Sequence, residues 1–113
     1  MWMTVSKRRF TITLTGSTAA RAFVERLPLT LDMSELNGNE KHAKLRSPLP
    51  ADASRPGTIR TGDVMLWGSD TLVVFYLTFE SPYSYTRIAR VDDPAGLRHA
   101  LGAGDARVSF SKD

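Results

Sequence analysis

The sequence predicts a mainly β protein, a closed β-barrel of about eight strands capped by two short helices. Three observations lead there. Runs with period-two hydropathy recur along the chain, as in RFTITLT (residues 9–15) and PLTLDM (residues 28–33). Only two segments have helical spacing, too few to cover both faces of an open sheet. A sheet closed on itself, with a helix over each mouth, buries one face of every strand and leaves no edge. At 113 residues the chain reads as one domain, which buries roughly two thirds of its unfolded surface around a single core.

Residues 1–8 read as a flexible arm, with Lys7-Arg8-Arg9 a solvated cluster of cations, and residues 9–113 as the barrel domain. Phe10, Ile12 and Leu14 alternate with Thr11 and Thr13, the pattern of a half-buried strand. Ala20, Phe23, Val24 and Leu27 then share one helical face; Ser17 or Thr18 caps the start and Pro28 stops the helix. Leu29, Leu31 and Met33 form the inward side of the next strand. From Ser34 to Thr61 periodicity dissolves, and three of the six prolines fall there. This excursion is expected to pack on the barrel, tacked down by Leu45 and Leu49, with a turn at Asn37-Gly38-Asn39, and to wall a groove.

The stretch TGDVMLWGSDTLVVFYLTF (residues 61–79) predicts two strands around Gly68-Ser69-Asp70. Leu72 to Phe79 carries no charge, so neither face suits water. Val73, Phe75, Leu77 and Phe79 are expected inside the barrel. Leu72, Val74 and Tyr76 are expected outside, beneath the 34–61 excursion. A loop at residues 80–87, a strand over RIARV, a helix over VDDPAGLRHALG and a strand over ARVSF complete the chain. In the helix Asp93 is the expected cap, Gly102 the stop, and Leu97, Ala100 and Leu101 the buried side.

No cysteine is present, which excludes disulfides and thiolate chemistry and permits a reducing compartment, so the cytoplasm is the expected location. No apolar run is long enough for a membrane span or secretion signal, and no membrane partner is expected. The formal charge is +3, with arginines dispersed rather than interleaved with aromatics, so no nucleic-acid partner is expected either. A monomer or weak dimer is expected.

Taken in order, FTITLTGSTAARAFVERLPLTL, TGDVMLW, VVFYL and YSYTRIARVDDPAGLRHAL resemble the small bacterial cyclophilin-like proteins, from Arg9 to Phe110. The resemblance implies an eight-stranded barrel with two capping helices, a helix pattern at Thr18-Ala19-x-x-Ala22-Phe23, and a strand opening at Gly62-Asp63. Active prolyl isomerases of the wider family carry Arg, Phe and Gln before that last pair. Here the stretch reads ADASRPGTIRTGD, so no catalytic residue transfers. An active peptidyl-prolyl isomerase would need a relocated arginine, Arg55 or Arg60.

Other chemistry finds little footing. His42 and His99 have no second ligand at metal spacing except Glu40, so no metal or other cofactor is expected. Ser81, Ser84 and Ser109 lack a nucleophile context, and Asp92-Asp93 reads as helix capping. What remains is an aromatic band: Trp67, Phe75, Tyr76, Phe79, Tyr83 and Tyr85, six of the ten aromatics (Trp 2, Tyr 3, Phe 5). The sequence therefore points to a non-catalytic or weakly catalytic module holding a peptide or small-molecule ligand. Its expected groove is lined by Tyr76, Tyr83 and Tyr85, with Asn39, Glu40 and Arg87 as polar groups.

Overall fold

In the computed structural model, which describes residues 1–113, ten strands and two helices make a mainly β fold. The strands are β1 (Trp2–Val5), β2 (Arg8–Leu14), β3 (Leu29–Leu36), β4 (Glu40–Lys44), β5 (Gly57–Ile59), β6 (Asp63–Trp67), β7 (Thr71–Phe75), β8 (Phe79–Ser81), β9 (Thr86–Val91) and β10 (Ala106–Ser111). The helices are α1 (Thr18–Val24) and α2 (Leu97–Leu101). Eight strands close into an antiparallel barrel in the order β1-β10-β3-β4-β7-β6-β9-β2, and β5 and β8 pair as a separate ribbon. No helix is long and apolar enough to cross a membrane.

The barrel interior is a cluster of 21 buried residues, among them Met3, Phe10, Ile12, Met33, Val64, Leu66, Leu72, Val74, Ile88, Val108 and Phe110. The two helices sit at opposite mouths, because α1 follows β2 and α2 follows its antiparallel neighbour β9. Ser17 caps α1, its Oγ accepting from the Ala20 amide at 3.0 Å. Phe23 plugs that mouth and meets Phe110 edge-on, centroids 5.3 Å apart. At the other mouth, α2 begins later than the sequence suggests. Asp93 Oδ1 accepts from the Ala95 amide and caps a turn before the helix, while Leu97 and Leu101 are buried as expected.

Three expectations need correction. The first residues are no free arm: Trp2–Val5 pairs with both β10 and β2, and Met3 and Val5 point into the core. Arg8 and Arg9 lie over the rings of Phe10 and Trp2, which uses part of the cationic cluster locally. The 34–61 segment is not one excursion. Residues up to Lys44 complete β3 and form β4, joined at a turn where Asn37 (φ 57°) and Gly38 (φ 70°) both take left-handed backbone, the requirement of a tight hairpin. The segment after β4 crosses the α1 mouth. There the Leu45 and Leu49 amides donate to the carbonyls of Asp70 and Ser69, and Arg26 donates to those of Ser47 and Pro48. Both leucines are buried.

The third correction concerns the faces of β7. Leu72, Val74 and Tyr76 belong to the barrel interior, while Val73 and Phe75 face outward. The strand also ends at Phe75, and Phe79 opens β8 instead.

Candidate functional site

The barrel's outer wall carries a second, smaller core. Ile59, Met65, Val73, Phe75 and Tyr85 form a buried cluster apart from the interior, with Phe79 packed against it. It forms because alternation sends every second residue of β6 and β7 outward, and the β5–β8 ribbon covers part of that face. The rings continue toward solvent as a connected series. Phe79 packs on Phe75 (centroids 5.7 Å), Phe75 meets Tyr85 (5.5 Å), Tyr85 meets Trp67 (5.5 Å), and Trp67 meets Tyr83 edge-on (5.5 Å). Such pairs contribute about 0.5–1.5 kcal/mol each beyond simple burial.

Beside the rings opens a cleft of about 700 Å³, within the roughly 300–1,000 Å³ usual for small-molecule sites. Register builds it. Glu40 lies opposite Phe75 and His42 opposite Val73 across β4 and β7, and Trp67 lies opposite Thr71 across β6 and β7. The far wall is the segment from Phe79 through Tyr83, with Tyr85. The chain has three exposed large apolar side chains, Leu36 (40%), Trp67 (45%) and Tyr83 (58%), and all three line this cleft.

The electrostatics are one-sided. No lysine or arginine lines the cleft; Glu40 and Glu80 do. Glu40 is 6% exposed, and burial, then the nearby charge of Glu35, pushes its pKa up to about 7. Burial and the charge of Glu40 likewise raise the Tyr85 hydroxyl. Asn39 Oδ1 is buried without a hydrogen-bond partner. Buried polar atoms without partners are uncommon, since each forgoes hydration for nothing.

Of the residues expected at the groove, Asn39, Glu40, Tyr83 and Tyr85 come together in this cleft. Tyr76 does not, and its expected place on the outer floor is overturned. It is 6% exposed on the interior side, at the α2 mouth. Its hydroxyl donates to Glu35 Oε1 at 2.7 Å, and burial followed by that carboxylate pushes its pKa up to about 12. Burial opposes ionisation of Glu35, but bonds from Tyr76, Lys41 and the Gly38 amide outweigh it and lower its pKa. Arg87 points outward from β9, beyond Tyr85, which precedes that strand, and lines a separate depression with Asp63 and Arg90. Arg55 and Arg60 are exposed, and neither lines the cleft.

Sequence reasoning missed Leu36, Thr71 and Val73 as lining residues and placed Trp67 in the aromatic band without assigning it to the groove. A signal was present. Val64, Leu66, Leu72 and Val74 make one wholly aliphatic face of the β6–β7 hairpin, whereas the other face carries Asp63, Trp67 and Thr71. The wholly aliphatic face belongs inside.

Comparison with known proteins adds one finding. A family model described as a cyclophilin-like family matches residues 3–111. No curated protein and no solved structure matches the chain at a significant level.

Proposed function

The chain belongs to the cyclophilin-like family, and from that premise we propose that it is a binding module, holding a small molecule or a short peptide in the aromatic cleft on the outer wall of its barrel. One observation carries the reading: Leu36, Trp67 and Tyr83, the exposed large apolar side chains of the chain, all border one cleft. Exposed apolar surface gathered in a concave, partly polar site is the form a ligand pocket takes. Glu40 adds to it, because a carboxyl kept buried without a partner reduces stability, and such groups collect where binding or chemistry needs them.

The test is a fragment panel screened by amide chemical shifts. Hits that move Glu40, Trp67 and Tyr83 together, and that are lost in Trp67→Ala, support the module. Hits confined to other surfaces, or none from a broad panel, would overturn it.

A further inference from the structure

We infer that the cleft takes a small organic cation, a protonated amine on an apolar body, with the ammonium against Glu40 and the body along Trp67 and Tyr83. The inference rests on the cleft being a binding site and adds the chemistry of its ligand.

Charge is the first ground. The chain as a whole is at +3, yet the cleft sets Glu40 and Glu80 against no lysine or arginine, a local reversal that repels anions and draws cations. Hydrogen bonding is the second and independent ground. Glu40 is more than nine-tenths buried, takes part in none of the ion pairs, and has no hydrogen bond among the influences on its carboxyl. Asn39 Oδ1 is buried with no donor. Glu80, by contrast, already accepts from Thr58 Oγ1 at 2.6 Å. The Glu40 carboxyl therefore faces the cleft as an acceptor that awaits donors, and an ammonium brings three.

The rings supply the third ground. Trp67 and Tyr83 remain about half exposed, and the faces of such rings attract a cation as well as an apolar body. Other ligand classes fit less well. An anion would meet Glu40 with no cation to offset it. A neutral apolar body would fill the aromatic side but leave the Glu40 carboxyl unmet. A metal ion lacks ligands, because no three His, Asp or Glu side chains converge anywhere in the chain.

Proton linkage follows from the same geometry. Glu35 from β3 raises Glu40, while Tyr76 and Tyr85 feel its charge; His42 and Glu80 line the cleft with it. Lys41, its neighbour in β4, turns to the interior face and bonds Glu35 instead. A bound ammonium favours the ionised carboxyl, so binding releases a proton when Glu40 starts out protonated. Affinity then rises with pH up to about 7 and levels off above it.

The experiment uses the full chain with Trp2→Phe, which leaves Trp67 as the single tryptophan. Its emission is titrated with phenethylamine, phenethyl alcohol and phenylacetate, one aryl body bearing a cation, a neutral group and an anion. The amine is expected to bind about tenfold tighter than the alcohol, with the carboxylate weakest. That advantage is expected to shrink several-fold in Glu40→Gln and, in the chain with Glu40 intact, on lowering the pH. Equal binding of the three probes, or tightest binding of phenylacetate, would overturn the cation while leaving the cleft a binding site. No response to any probe, in emission or in the amide shifts of Glu40 and Tyr83, would overturn both.

Discussion

Glu40 and Phe75 are register partners across β4 and β7, so a carboxyl and a buried aromatic ring stand side by side on the outer wall of the barrel. The ring anchors the outer cluster, and the carboxyl is held in its low-dielectric margin with nothing to offset its charge.

Stability should therefore depend on pH through Glu40. Its folded pKa, about 7, lies above the ordinary 4.5. The protonated form is thus favoured by folding, and that contribution is complete below the ordinary value and lost as pH rises through about 7. Glu40→Gln removes the titration. The variant should match the parent near pH 4 and exceed it near pH 8 by roughly 1–3 kcal/mol, measured by urea unfolding at both values. A gain of equal size at both pH values would show that Glu40 is not the titrating group.

Phe75 and Tyr76 are adjacent but serve different cores. Phe75 is fully buried in the outer cluster, so Phe75→Ala should cost about 3–5 kcal/mol and collapse the cleft floor as well. Tyr76→Phe keeps the ring and loses the bond to Glu35, which should cost about 1–3 kcal/mol and leave the cleft intact. Denaturation curves together with amide shifts of cleft residues separate the two outcomes.

Lys41 should be a strong internal tie. It is fully buried, and its ammonium donates to Glu35 Oε1 at 3.0 Å, to the Gly102 carbonyl at 2.8 Å and to that of Gly104 at 2.5 Å. Lys41→Met strands those acceptors and should cost about 3 kcal/mol, at the low end for a buried pair because Glu35 is partly exposed. Faster amide exchange in α2 should accompany the loss. Adding Glu35→Gln should recover part of the stability, and strict additivity in the double variant would count against the pair.

Trp67 and Tyr83 should matter for binding more than for folding. Each is about half exposed, so Tyr83→Ala should cost about 1 kcal/mol and Trp67→Ala, which also loses two ring pairs, about 1–3 kcal/mol, less than Phe75→Ala, while both weaken any ligand that occupies the cleft. A variant that unfolds as readily as Phe75→Ala would place these rings in the core.

Much of the fold was written in local patterns. Phe10, Ile12 and Leu14 alternate because β2 has one wet face, and the spacing from Ala20 to Leu27 marks α1 because only one side of that helix is covered. β4 was hidden by its chemistry. In EKHAK the inward residues are Ala43 and Lys41, and the charge of Lys41 is met by Glu35 and by two carbonyls from a distant turn, partners that no local window displays. The faces of β7 were hard to tell apart because both are buried, one by the barrel interior and one by the β5–β8 ribbon; alternation within β7 alone does not separate them, and only its hairpin partner β6, with Asp63 and Trp67 on the outward face, does. At the site, Asn39, Glu40, Tyr83 and Tyr85 stood out as polar or aromatic residues near turns. Arg87 stood out for the same reason, but its position along β9, opposite Met65, puts it in a depression with Asp63 and Arg90 rather than over the cleft.

The barrel wall at β6 and β7 is a partition between two hydrophobic compartments: 21 residues inside hold the fold together, and five outside underlie the cleft. The two sets share strands but not side chains, so they are separately mutable. Exchanging Val73 or Tyr85, which line the cleft, would reshape it while Val64, Leu66, Leu72 and Val74 keep the scaffold closed. In this architecture a differently shaped cleft lies a few outward substitutions away, and the scaffold need not be rebuilt to reach it.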